Sequence, residues 1–528
     1  MRHDRRAATL ALWMCGALLL AAGRGAPGQG AADELAARLK AGLAAAPPAL
    51  RQWYARRGYR AAWVGVRGVM PRADTLAAAI RAAAQEGLDP AVYALPALPA
   101  APDPDRLADV ELRLTGAALA YAADVANGRV APALVHGLWS AAGARRLDPG
   151  AWLAAALDGD TLGAALAGLP PPHPGYAALR DALARYRVLA TRGRWPPLAA
   201  GPPLGPGERG PAVAALRARL AVEGDLEPER SAGDTFDAAV QRAVERFQRR
   251  HGLDADGVLG PATRAALDVP VAARIRQIEL NLERWRWLPR RLGERYVLAN
   301  SAAFTLEAVE NDRTVLRLRT VVGRPDWPTP IVSARITGLL FSPAWAIPRS
   351  IAVREILPVV RRDPGYLVRE GIRVLLDSGR TVLDPAAVDW SQVSDSAFAF
   401  ELRQDPGPSN PLGGLKVVFP NRFDVYIHDT PARALFRKRV RTFSHGCVRA
   451  ERAAELAGFL LGDPVRWARD SVAAAMTAGR ERWVPVPVPV PVHVGYWTAW
   501  VDDAGAVNFR DDVYGWDRLL AAALDARR

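Results

Sequence analysis

One thiol, two imidazoles and one guanidinium carry most of the chemistry legible in this chain. Cys447 sits in Ser444-His445-Gly446-Cys447-Val448-Arg449, and Tyr426-Ile427-His428-Asp429-Thr430-Pro431 precedes it. A thiol is a poor nucleophile until ionised, and its pKa of about 8.5 falls beside histidine, arginine or a helix N-terminus. All three are expected near Cys447. His428 and His445 are two of seven histidines, Arg449 lies two residues on, and helix-forming text runs through Ala450-Glu451-Arg452-Ala453-Ala454-Glu455-Leu456. One cysteine near one histidine does not by itself distinguish a nucleophile from a chance neighbour.

The second cysteine, Cys15, lies in a segment that reads as a secretory signal over 1–30. Arg2, Arg5 and Arg6 precede an apolar run from Ala7 to Ala22, then Gly- and Ala-rich cleavage candidates. Met14 before Cys15 disfavours a lipoprotein cleavage site. Export predicts a periplasmic protein, anchored to the inner membrane only if the segment is retained. Removal of Cys15 leaves Cys447 without a partner, which excludes a disulfide within the mature chain.

A length of 528 residues, 50% hydrophobic and 23% charged, implies several globular domains. The net charge of +14 raises the question of nucleic acid. Nearly all of that charge is arginine spread along the chain, so no nucleic-acid partner is expected; an exported protein meets anionic envelope polymers.

Residues 31–193 are Ala/Leu/Arg-rich with helical periodicity and no catalytic constellation, which predicts a helical scaffold. Asp74 is expected to cap one helix and Gly87 to stop it; others are predicted over 105–127 and 176–190. Residues 194–203 are a Pro/Gly linker. From 204 to 270, Val213, Leu216 and Leu220 share one helical face and Phe236, Val240, Val244 and Phe247 another. Pro261 then opens a third helix, giving a small three-helix bundle. Beyond 271, one helix leads into strands at 296–299, 304–309 and 315–322, with Asn311-Asp312 as a hairpin turn. Residues 345–405 interrupt with helix-like text around Ile351–Leu357, a capping insertion. The Pro/Val alternation over 484–492 predicts an edge strand or polyproline segment. A final hairpin is expected over 496–510.

Two stretches resemble known families. Gly252-Leu253-Asp254-Ala255-Asp256-Gly257-Val258-Leu259-Gly260-Pro261-Ala262-Thr263 resembles the peptidoglycan-binding domain of cell-wall enzymes. The paired motifs at 426–431 and 444–449 resemble the active-site signature of L,D-transpeptidases, the cysteine enzymes that cross-link peptidoglycan stems. That resemblance extends from about Arg274 to the C-terminus, within a catalytic domain over 271–528, through Asn281-Leu282-Glu283-Arg284, Val322-Gly323-Arg324, Trp345-Ala346-Ile347-Pro348 and Tyr496-Trp497-Thr498-Ala499-Trp500. Ala302 and Ser342 depart from the family pattern, where proline and asparagine are expected. The whole is similar to the large periplasmic subfamily: a multidomain α+β protein with a helical scaffold, a three-helix peptidoglycan-binding bundle and a mainly β catalytic domain with a helical capping insertion.

The resemblance implies Cys447 as acylated nucleophile, His428 as base and the Asp429 carbonyl as the group orienting its ring. It also implies oxyanion donors from the Gly446 and Cys447 amides and the Tyr426 hydroxyl. Arg449 would fork a substrate carboxylate, His445 and Ser444 would line or position the thiol, and Trp345 would sit on the cap side. The implied reaction is 3→3 cross-linking through a thioester with release of D-alanine, on stem peptides and glycan strands, without metal or cofactor, and with carbapenem sensitivity. An L,D-carboxypeptidase using the same site is the alternative. A zinc hydrolase is disfavoured because no H-E-x-x-H pairing exists, and a noncatalytic wall-binding scaffold is the remaining reading.

Overall fold

The computed structural model describes residues 29–527 except 66, 99–102, 141–145, 192, 194–197, 199 and 377–378. The expected signal and much of the Pro/Gly linker lie outside the described residues. No helix among those described is long and apolar enough to cross a membrane.

The N-terminal region is helical. Its longest helix, Pro104–Asn127, packs beside Gln29–Gly42, Pro71–Arg81 and Pro149–Asp158 over a core including Leu39, Trp63, Leu76, Ile80 and Leu114. Pro71 opens its helix after Met70, so Asp74 lies in the first turn rather than at the cap, where its charge still meets the positive helix end. The α-helix tightens to 3₁₀ over Ala82–Glu86 before Gly87 ends it. Two acidic side chains, Glu86 and Glu111, are buried here. Glu111 accepts from the amides of Ala62, Trp63 and Val64 and from the Tyr54 hydroxyl at 2.5, 2.7, 3.1 and 2.7 Å, so its oxygens are spent on holding the core.

The small bundle comprises helices Pro211–Glu223, Ala238–Arg250 and Pro261–Asp268. Val213, Leu216, Leu220, Phe236, Val240, Val244, Phe247 and Leu267 all enter its core. The helix Pro174–Thr191 joins the scaffold to the C-terminal region: Tyr176, Leu179 and Leu183 pack with Ile278, Leu282 and Trp285 of the helix Val271–Trp285.

A nine-stranded mixed sheet dominates the remainder. Its strands are β1 (Arg295–Asn300), β2 (Thr305–Glu310), β3 (Arg313–Gly323), β4 (Val332–Phe341), β5 (Leu415–Val418), β6 (Ile427–His428), β7 (Thr442–Ser444), β8 (Val448–Ala450) and β9 (Arg482–Gly495). The order is β7-β3-β8-β6-β5-β4-β9-β1-β2, and β2 bonds back to β3, so eight strands close a circuit that hides most of their edges. Asn311 and Asp312 both have positive φ, 51° and 60°, as a two-residue hairpin turn requires.

Two expectations need correction. The Pro/Val run is not simply an edge: residues 482–485 and 490–494 pair with β4, and 492–495 also pair with β1, which places that end in the sheet interior. Over 482–491 β9 has only β4 beside it, and the prolines concentrate there because a missing N–H costs nothing on an open side. The capping insertion also contains sheet as well as helix. Strands Trp345–Ile347, Glu401–Gln404, Ile372–Leu376 and Thr381–Leu383 form a separate four-stranded sheet, with short helical segments around a core of Ile351, Leu357, Leu367, Val374 and Leu402.

Candidate active site

Register decides which side chains meet. β6 and β8 run parallel with Ile427 opposite Val448 and His428 opposite Arg449. Side chains alternate along a strand, so Ile427 and Val448 enter the core while His428 and Arg449, with Tyr426 and Cys447 one step earlier, share the other face. β5 adds Lys416, opposite His428. Three potential cations and one thiol therefore occupy adjacent positions on one sheet face.

Cys447 is half-buried and unpaired. Burial pushes its thiol up to about 11, against the opposing pull of the Tyr426 amide, the Lys416 ammonium and the Tyr426 hydroxyl, which all favour the thiolate. The expected helix N-terminus is not there: Cys447 leads into β8, and the helix begins at Ala453. The thiol therefore rests protonated and needs a base.

His428 is buried, and burial, reinforced by Arg449, pushes its imidazole down to about 3, so it is neutral at ordinary pH. Its Nδ1 is 2.5 Å from the Asp429 carbonyl. The Asp429 carboxylate itself is committed elsewhere, accepting from the Gly414 amide at 3.0 Å and from Arg433 at 2.5 Å. Among the described residues no hydrogen bond joins His428 to Cys447. Tyr426 stands between the two functions, its ring 5.6 Å from that of His428 and its hydroxyl against the thiol and the Trp345 indole, which donates to it.

The loop before β8 is locked by its own polar groups. Ser444 Oγ donates to the Cys447 carbonyl at 2.5 Å and accepts from the Gly446 amide at 3.2 Å. The Gly446 amide, expected as an oxyanion donor, is thus already engaged. Thr329 Oγ1 donates to the Gly446 carbonyl at 2.8 Å. Gly446 has φ +107°, a conformation that only glycine adopts without strain. His445 turns away from the thiol toward the capping insertion: its Nε2 lies 2.6 Å from Glu355 Oε1, and Arg324 donates to the same oxygen at 2.9 Å. Glu355 rides on a single π-type turn, Ala352–Ile356, a geometry found often at functional sites.

Arg449 is half-buried with no carboxylate partner among the described residues, and its Nε is buried without a hydrogen bond. Burial pushes its pKa down from the usual guanidinium value. Sequence reasoning missed Lys416, whose Nζ stands 3.9 Å from the centre of the Tyr426 ring. Its signal was only its rarity, one of three lysines in an arginine-rich chain.

Residues 294–472 match the family described as "L,D-transpeptidase catalytic domain". The chain carries an L,D-transpeptidase catalytic domain. Residues 209–267 match the "Putative peptidoglycan binding domain" and 48–183 the "Scaffold domain". A "Putative L,D-transpeptidase" of Haemophilus influenzae is 29% identical over 247 residues, 47% of this chain and 49% of the relative. This chain thus spans about half the length of that relative. A crystal structure of an L,D-transpeptidase from Xylanimonas cellulosilytica is 19% identical, covers 56% of this chain and 98% of its own, and has a TM-score of 0.19, too low to bear on the fold. The L,D-transpeptidase domain contains the whole Tyr426–Arg449 face, and the capping insertion lies within it.

Proposed function

We propose that the protein is a periplasmic, cysteine-dependent L,D-transpeptidase that forms 3→3 cross-links in peptidoglycan. The observation that carries this is the shared sheet face on which Cys447, Tyr426, His428 and Arg449 stand inside the matched catalytic domain. His428, neutral and held through Nδ1 by the Asp429 carbonyl, takes the thiol proton; hydrogen bonds of this kind often tighten only when substrate arrives. The thiolate attacks the carbonyl joining the third stem residue to a terminal D-alanine. The Cys447 amide and the Tyr426 hydroxyl receive the developing oxyanion, a contribution of about 3 kcal/mol per donor. The C–N bond breaks, the proton returns to the departing amine, and a thioester remains on Cys447. An amine on a neighbouring stem then resolves the thioester and frees the thiol.

Arg449 forks the substrate carboxylate, which a planar guanidinium does better than lysine. Lys416 favours ionisation of the thiol. The bundle brings the glycan strand and the signal exports the chain. Water in place of the acceptor amine would make the same site an L,D-carboxypeptidase.

The test is mass spectrometry of the protein incubated with a disaccharide-tetrapeptide, beside Cys447→Ala. Acylation of Cys447 with loss of D-alanine and dimer formation is expected. Acylation yielding only shortened monomer selects the carboxypeptidase, and a folded protein that is never acylated sinks the cysteine mechanism.

A further inference from the structure

A cavity of about 230 Å³ opens where three parts of the chain meet. One wall is the turn His251–Asp254 of the small bundle, another the segment Phe436–Arg441, and the third Arg510–Val513, with Ala302–Phe304 and Arg319 completing the lining. The bundle and the C-terminal hairpin touch directly: Arg510 donates to the Arg250 carbonyl at 2.9 Å, and His251 stacks on Phe509 at 5.6 Å. Gly252, at φ +67°, has no Cβ where one would come within 2.6 Å of the Arg510 side chain, so glycine is what admits that guanidinium to the wall.

The lining is cationic beyond what its own acids neutralise. Arg319 is paired with Glu451, and Arg439 lies 3.7 Å from Asp511. Arg437 and Lys438 are exposed and have no ion-pair partner among the described residues. Among the described residues, Arg441 donates only to the carbonyls of Thr320, Lys438 and Phe304, and Arg510 only to those of Arg250, Phe509 and Arg249. Carbonyl oxygens fix a guanidinium in place without cancelling its charge. Burial pushes both arginines down to about 10, with repulsion from Arg319 on Arg441 and from Arg441 on Arg510. Asp254 is the remaining acid on the wall. An entering anion would relieve that crowding.

We propose that this cavity is a second substrate-binding site, which holds the carboxylate end of a peptidoglycan stem peptide while Cys447 acts elsewhere on the polymer. The inference rests on the peptidoglycan reading above. One wall belongs to the bundle matched as peptidoglycan-binding, and the other continues without a break through β7 into the Cys447 loop. A strand engaged here is held by the two parts that must cooperate on it. The size suits the tip of a peptide, and forked guanidinium donors suit a carboxylate.

The test uses the full chain in an Arg449→Gln background, which removes the other carboxylate-binding group. A fluorescent disaccharide-tripeptide with free carboxylates and its amidated counterpart are titrated by polarisation, with and without Arg437→Gln/Lys438→Gln. The double change is expected to weaken the carboxylated probe about fivefold, with the loss shrinking at high salt. Amidation should weaken the parent's binding to a similar degree. In the Arg449 background, equal affinity of parent and double variant for the carboxylated probe overturns the proposal. Competition by inorganic phosphate at concentrations where free acetate does nothing overturns the carboxylate assignment. With Arg449 intact, circular dichroism and thermal unfolding of the double variant should match the parent, so that lost binding is not lost folding. If even the unaltered protein is never acylated while charge-dependent binding persists, the reaction fails and the site stands.

Discussion

The small bundle and the Cys447 face both set arginines among half-buried and buried groups, but treat them in opposite ways. In the bundle, Arg250 is clamped by Asp225 and Glu223 at 2.5 Å each. Its neighbour Gln248 donates to Asp256, Val258 and Thr263 and accepts from the Gly257 amide. Around Cys447, among the described residues, Arg449 has no acid and Lys416 has an aromatic ring in place of one. A buried cation with its counter-charges in place is part of the architecture; one without them costs stability that is recovered only when an anion arrives. The bundle is built to persist and the sheet face to react.

The sharpest way to break this contrast is Cys447→Ala. Turnover should fall by about 10⁴-fold or more, as removal of a nucleophile generally does, while thermal unfolding barely moves. His428→Gln comes next, with a loss of about 10²- to 10⁴-fold in acylation rate measured by intact mass.

A paired experiment addresses the two arginines directly. Arg250→Met leaves Asp225 buried without its ion-pair partner, and Glu223 with Arg219 alone, and should cost about 3–5 kcal/mol in denaturant unfolding. Arg449→Met should cost under about 1 kcal/mol, or even stabilise, while lowering kcat/KM for carboxylated donors. Equal destabilisation by both would erase the distinction.

The pH dependence follows from burial. The Cys447 thiol, raised to about 11, stays protonated in the folded state where an unfolded thiol of pKa about 8.5 ionises. Stability is therefore complete below the unfolded value and lost as pH rises through 9 toward 11, a loss that Cys447→Ala removes. Alkylation by iodoacetamide should accelerate over the same range, and Lys416→Met should slow it at pH 8. The smallest effect is expected from Glu355→Gln, about 1 kcal/mol or less, read as faster proteolysis of the capping insertion.

Periodicity and turn chemistry made much of the architecture legible. The bundle's apolar faces, the long scaffold helix ending at Asn127 and the Asn311-Asp312 turn could be read locally because each depends on neighbours three or four residues away at most. The Pro/Val run could not, since whether proline sits on an open or a paired side depends on which strand lies alongside. The helix expected at Cys447 failed for a similar reason: good helix formers from Ala450 yield to pairing of β8 with β3 and β6 until Ala453.

By itself the sequence determined the motifs, Cys447 as the one thiol beyond Cys15, and the order of scaffold, bundle and β-rich domain. Tertiary structure alone decided that Lys416 stands over Tyr426, that the Gly446 amide is spent on Ser444, that His445 grips the cap through Glu355, and that burial holds the thiol protonated. Residue types and spacing specify which groups exist, but strand register and burial fix which of them touch and which keep their charge.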